Sequence, residues 1–157
     1  MRPLGLLTKA VHLNGWSADG RLWLARRAPT KATDPGKWDT LVGGLAVAAE
    51  PLDTSLVREC HEEAGLTPYD LRGRSPLRVI LRMHRRLPEG YQVEDVLVSD
   101  CVLEEGTVPQ NQDGEVSEIR LATVEETFSM LEAGLFTDEA EACILDSLRE
   151  QAGIAGT

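Results

Sequence analysis

The stretch GGLAVAAEPLDTSLVRECHEEAGL, Gly43 to Leu66, sets four glutamates and one arginine around a short apolar pattern and closes on a glycine. Proline suits the first position of a helix, where its missing N–H has no intrahelical partner to lose, so a helix is expected from Pro51. Gly65 suits the left-handed position just past a helix end, which makes Ala64 the last helical residue. At about 100° per residue, Glu59, Glu62 and Glu63 fall on one arc of that helix. Leu56, Val57, Cys60 and Ala64 fall on a neighbouring arc that can face a core. Like charges three and four residues apart cost roughly a few tenths of a kcal/mol each, and a divalent cation removes that cost by taking the oxygens as hard ligands. A solvated acidic face is the usual fate of such a cluster. The neighbours argue against it here: Gly43-Gly44 permits close backbone approach with a carbonyl turned towards the ligands, and Arg58 can lock a carboxylate in a two-point pair.

The flanks read as strands with a few helices. LLTKAVHLN is a first strand, turned by GWSADG, where Asp19-Gly20 is a hairpin signal, and RLWLARRA is a second. PTKATDPGKWD reads as a loop, and TLVGGLAV as short strand segments about the glycine pair. LRVILRMHRR and EDVLVSDCVL form a hairpin through LPEGYQ, and VSEIRLA is a further strand. Thr123 with Glu126 makes a capping box for a helix to about Ala133. Thr137 or Asp138 opens a last helix to about Gln151, ending near Gly153 and packing through Ala140, Ile144, Leu145 and Leu148. Strands mixed with helices imply a layered α/β fold with a mixed sheet, and the absence of repeats or linkers implies one domain over 1–157.

Composition removes several classes of function. The 157 residues, 42% hydrophobic and 27% charged, can bury a sizeable core. No apolar run reaches the roughly 18 residues of a membrane helix, and MRPLGLLTKAVHLNG lacks a signal peptide's apolar centre, so cytoplasmic residence is expected. Cys60, Cys101 and Cys143 are odd in number, widely spaced and set in apolar patterns, which points to buried free thiols. Sixteen basic against 26 acidic residues give a net charge of −10. That balance opposes nucleic acid polymers but admits a small anion bridged by a metal. His12 in a strand, His61 beside the acidic helix and His84 among arginines have no partner at metal-ligand spacing. Gly43-Gly44 is not a phosphate-binding P-loop, since no GK[ST] follows.

The spacing Gly44, Glu50, Arg58-Glu59, Cys60, Glu62-Glu63, Gly65, Leu66 resembles the Nudix box, G-x5-E-x7-R-E-U-x-E-E-x-G-U, with Cys60 in place of a larger aliphatic residue. One departure lies just upstream of Glu50, where many members have glycine and this chain has Ala48-Ala49. The resemblance implies the Nudix fold, an α/β/α sandwich with a central mixed sheet and a loop-helix-loop motif holding Mg²⁺ or Mn²⁺ against a diphosphate. It makes Glu59 and Glu63 the principal metal ligands, Glu62 a ligand or water-activating base, Glu50 a more distant member of the shell and Gly44 a carbonyl donor. Arg58 becomes an orienter. The metal neutralises phosphate charge and acidifies a water aligned for in-line attack at phosphorus. The family allows a homodimer.

The substrate must be read from the flanks. Arg26, Arg27, Lys31 and Lys37 reverse the local charge of an acidic chain, as capture of a phosphate tail requires. Trp38 can stack on a ring or pack beneath its loop. Asp113, Glu115 and Glu118 lie in or beside a later loop, from which Nudix enzymes often recruit an acidic residue as base or extra ligand, and Glu115 is the candidate. AVHLNGW, LWLARRAPTKATDPGKWDTLVGGL and VPQNQDGEVSEIRL resemble the Nudix branch associated with thiamine pyrophosphokinase, which implies thiamine diphosphate or its damaged analogues as substrate. ADP-ribose and nucleoside triphosphates are alternatives. Isopentenyl diphosphate isomerase is a rival reading, weakened by the missing cysteine and histidine near WDTLVGGL. A non-catalytic nucleotide-sensing module is a second, weakened by the complete set of carboxylates.

Overall fold

The computed structural model describes residues 5–31, 34–88, 90–112 and 114–155. Asp113 and Glu89 therefore lie outside the described residues. Among those described, seven strands form one sheet with three helices. The strands are β1 (Gly5–Trp16), β2 (Leu22–Arg27), β3 (Trp38–Thr40), β4 (Val42–Leu45), β5 (Arg78–Leu87), β6 (Gly90–Val102) and β7 (Val116–Ala122). The helices are α1 (Leu52–Ala64), α2 (Val124–Glu132) and α3 (Asp138–Ala155). The order is β3-β2-β1-β6-β5, with β4 joined to β1 and β7 to β2. β1 and β6 run parallel and the other pairs antiparallel, so the sheet is mixed as expected.

Side chains of β1 alternate across the sheet and so divide the core. Val11 and Leu13 pack with Leu56, Cys60 and Ala64 of α1. Trp16 packs on the other face with Met130 of α2 and Ala140, Ile144 and Leu148 of α3. Burying one such leucine contributes on the order of 1.5–3 kcal/mol, against a few tenths for each carboxylate repulsion, so packing decides where α1 lies. The three cysteines are buried and free. No described helix is long and apolar enough to cross a membrane.

The sheet forks where the site is built. β1 and β2 pair only at Gly15↔Trp23 and Trp16↔Leu22. Beyond that point β1 takes β4 as its neighbour, Ala10–Leu13 against Val42–Leu45, while β2 takes β3 and β7. Leu41, between β3 and β4, carries the chain from one prong to the other.

Four details differ from expectation. Pro51 is the residue before α1, with φ −57° and ψ 142°, rather than its first helical residue. The hairpin between β1 and β2 has a five-residue connection, Ser17 to Arg21, in which Gly20 alone takes positive φ. α3 runs through Gly153, since one interior glycine costs a helix only about 1 kcal/mol. On α3, Leu145 is exposed, whereas Ala140, Ile144 and Leu148 are buried as expected. The capping box of α2 forms in full, and Gly65 closes α1 at φ 69°.

Candidate functional site

Arg58 is the hub of the acidic helix. Its Nε and Nη2 donate to the two oxygens of Glu50 at 3.3 and 3.2 Å, the two-point pair expected of a guanidinium and a carboxylate. Its Nη1 donates to Glu59 at 3.0 Å and to Glu62 at 3.3 Å. Ser55 Oγ donates to Glu50 at 2.5 Å from the first turn of α1. The hydrogen bonds from Arg58 and then Ser55 hold the Glu50 carboxyl below its usual range. Its hydrogen bonds to Glu50 and then Glu59 raise Arg58 further above its already high value. Arg58 thus orients three of the four box carboxylates, and its two-point partner is Glu50 rather than its neighbour Glu59.

The backbone in front of α1 is shaped for close approach. A methyl group on Gly44 would lie 2.6 Å from the carboxyl carbon and one oxygen of Glu59, so only glycine lets that carboxylate rest against β4. A methyl on Gly43 would lie 2.8 Å from His12 Nδ1 on the opposite face. Ala49, in the loop before Glu50, takes a left-handed φ of 69°. The loop therefore keeps the glycine-like shape without the glycine.

Four carboxylates and a backbone carbonyl are the donor chemistry a hard divalent cation takes, and the cradle at Gly44 brings backbone and Glu59 together. The residues fit such an ion by kind. Among the described residues no three His, Cys, Asp or Glu side chains stand close enough to hold a metal as they are, because Arg58 engages Glu50, Glu59 and Glu62.

Glu63 faces a second set of residues. It lines a narrow cleft with Arg27, Lys31, Asp39, Gly43 and Glu115. Lys31 Nζ lies 3.3 Å from Glu115, and Arg27 Nη1 lies 3.5 Å from Asp39. The N–H groups of Gln110 and Gln112 cap the free carbonyls of Ala64 and Glu63 at 2.9 and 3.2 Å, which ties the loop ahead of Glu115 to the end of α1. The structure thus brings Arg27, Lys31 and Glu115 to the acidic helix.

It does not bring Arg26, Lys37 or Trp38 there. Adjacent residues of a strand point to opposite faces, so Arg26 leaves the site as Arg27 enters it. Arg26 donates to the Gly36 carbonyl at 3.0 Å, and Lys37 reaches the Gly134 carbonyl at 3.5 Å. Trp38 is buried in the core facing α2 and α3, with the guanidinium carbons of Arg120 and Arg26 at 5.3 and 6.0 Å from its ring centre. Its ring is thus packed beneath the loop, the commoner fate of a large aromatic surface.

Sequence reading missed Asp39, His12 and Glu139. Buried His12 meets Thr40 Oγ1 at 2.9 Å and Glu139 at 3.3 Å, with Asp39 at 3.9 Å. Burial acts to lower the imidazole, but the hydrogen bond with Glu139 and the charges of Asp39, Glu139 and Glu94 outweigh it and hold the pKa above the usual value. Burial also raises the Asp39 carboxyl, against the pull of His12, the Thr40 N–H and Arg27. A second pocket of about 190 Å³, lined by His12, Glu94 and Glu139, shares Arg27, Asp39 and Gly43 with the cleft at Glu63. A histidine and a glutamate 127 positions apart carry no local signal of their pairing.

Residues 8–142 match the NUDIX domain. The chain is 35% identical over 149 residues to Nudix hydrolase 24, chloroplastic, of Arabidopsis thaliana, covering 92% of this chain and 40% of that protein. The chain spans about two fifths of the length of such curated relatives. Among solved structures, a MutT protein from Methanosarcina mazei Go1 superposes with a TM-score of 0.65 at 21% identity, covering 92% of this chain and 95% of that one. A bifunctional NMN adenylyltransferase/ADP ribose pyrophosphatase from Francisella tularensis, complexed with AMP and a Mn ion, gives 0.72 at 16% identity, covering 95% and 43%. These two likenesses are of fold.

Proposed function

The chain belongs to the NUDIX family, and from that premise we propose that it is a metal-dependent pyrophosphohydrolase of small organic diphosphates. The observation that carries the reading is the intact carboxylate set of α1, held by Arg58 beside a cleft that offers two cations and a further carboxylate. Residues 1–157 are read as one such domain. Glu59 and Glu63 are the principal ligands of a Mg²⁺ or Mn²⁺ ion, with Glu50, Glu62 and the Gly44 carbonyl completing the donor set. When bound, that ion supplies charge neutralisation at the diphosphate and acidifies water.

The protein's own groups do the remaining work. Arg27 and Lys31 bind the phosphate tail, as cations placed at the mouth of an acidic site. Arg58 keeps the α1 carboxylates in orientation. Glu62 or Glu115 accepts the proton of the attacking water, and the phosphoanhydride opens to a monophosphate ester and inorganic phosphate. Thiamine diphosphate or a damaged analogue is the proposed substrate, supported by the resemblance of the flanking segments. ADP-ribose and nucleoside triphosphates are the competing choices.

A panel of thiamine diphosphate, its oxo analogue, ADP-ribose and nucleoside triphosphates, with and without Mg²⁺, tests both levels of the reading. Metal-dependent cleavage of a phosphoanhydride in at least one member is expected, giving inorganic phosphate and a monophosphate ester from a thiamine compound or AMP and ribose 5-phosphate from ADP-ribose. Preference for the thiamine compounds is the finer expectation. Glu63→Gln should abolish that turnover while the melting temperature holds or rises, because it removes one charge from a site that repels itself. Turnover by Glu63→Gln at the wild-type rate would overturn the ligand assignment.

A further inference from the structure

Two ion pairs close the cleft beside Glu63: Arg27 with Asp39 and Lys31 with Glu115. With both made, the cleft holds about 30 Å³, room for a water molecule or two and far below the several hundred Å³ of a ligand pocket. The adjoining pocket of about 190 Å³ is lined by the same Arg27, Asp39 and Gly43, so the Arg27–Asp39 pair stands between the two spaces. Among the described residues, both cations lining the cleft are thus engaged by carboxylates of this chain, and a diphosphate has to displace those carboxylates to meet them.

We propose that these pairs are latches worked by the substrate: the diphosphate takes Arg27 and Lys31 from Asp39 and Glu115, and the cleft opens as it does so. The proposal rests on the diphosphate reading above and adds Asp39 as a positioning residue. A phosphate oxygen and a carboxylate oxygen compete for the same N–H donors, so exchange costs little where the pair is partly solvated. Glu115 is 57% exposed and Lys31 28%, which places their pair in that regime. Opening the Arg27–Asp39 pair joins the cleft to the pocket at His12, Glu94 and Glu139, giving the non-phosphate part of the ligand a place beside the cleaved bond. Opening the Lys31–Glu115 pair leaves Glu115 without that cation beside Glu63, where the function above needs a base.

The test is the affinity for methylenediphosphonate, which cannot be hydrolysed, measured by calorimetry at low ionic strength in EDTA so that metal plays no part. Glu115→Gln should bind up to about fivefold tighter than wild type, the exchange value of an exposed ion pair, because Lys31 no longer has to be released. Lys31→Gln should bind more weakly by a similar factor. In the Lys31→Gln background the Glu115 change should do nothing, since no latch is left to remove. An equal gain in both backgrounds would show bulk charge repulsion and overturn the latch, as would no gain in either or no binding by any variant. The same cycle on Arg27 and Asp39, with Arg27→Gln and Asp39→Asn, tests the second latch by the same outcomes. Intact cycles without turnover on any diphosphate would sink the hydrolase reading alone, and failed cycles with normal turnover would sink the latches alone.

Discussion

Gly44 shows how much chemistry one missing methyl can hold. Its absent Cβ is the space in which the Glu59 carboxylate rests, 2.6 Å from where that atom would be. Gly44→Ala must therefore push Glu59 away from β4, since backbone on one side and the core behind α1 on the other leave the carboxylate as the part that moves. Turnover should fall about a hundredfold, the cost of misplacing a reacting group by roughly an ångström, with the circular dichroism spectrum unchanged. Wild-type turnover by that variant would remove Glu59 from the site. The need for small residues here was legible in the sequence, because paired glycines ahead of an acidic helix mark close backbone approach. Which carboxylate fills the space was not. That depends on how far β4 stands from α1, a distance set by Leu56 and Cys60 in the core.

At the scale of the element, α1 was the most legible part of the chain. Its end at Gly65 and the burial of Leu56, Cys60 and Ala64 follow from local rules and are found where those rules put them, whereas Val57 is only half-buried and Ser55 is buried instead. Its approach was less legible. Ala49 sits at φ 69°, a region that costs alanine on the order of 1 kcal/mol, so the loop accepts strain to deliver Glu50 to Arg58. Ala49→Gly should relieve that strain and lose part of the gain to the freer unfolded chain. A net rise of about 1–2 °C in melting temperature is expected from a thermal denaturation series. A fall would mean that the left-handed turn is held by contacts that alanine itself makes. The basic loop after β2 was half legible for a related reason: composition announced four cations, but strand parity and a turn sent Arg27 and Lys31 one way and Arg26 and Lys37 the other.

Across the whole molecule, the site is built from both faces of the sheet. α1 approaches the Gly44 side, whereas His12, behind Gly43, is braced by Glu139 from α3. Such long-range pairing has no periodicity to betray it, and a lone histidine in a strand reads as an ordinary core residue until the partner is seen. The pairing should be visible in the pH dependence of stability. His12 has a folded pKa above its unfolded value of 6.5, so its contribution is complete below that value and is lost as pH rises through the folded one. The melting-temperature gap between wild type and His12→Gln should therefore be widest below pH 6.5 and narrow as the pH rises above it. A gap independent of pH would show that the imidazole does not titrate with folding.

The parallel pairing of β1 with β6 bears on how this chain reaches its native state. Strand neighbours such as Thr8 and Glu94 are 86 positions apart, so the central seam of the sheet is also among its most distant contacts. While the polypeptide is being made, one edge of β1 stays bare until the ribosome has passed Val102. Slow closure of so long a loop leaves that edge open to transient sticking to other nascent strands.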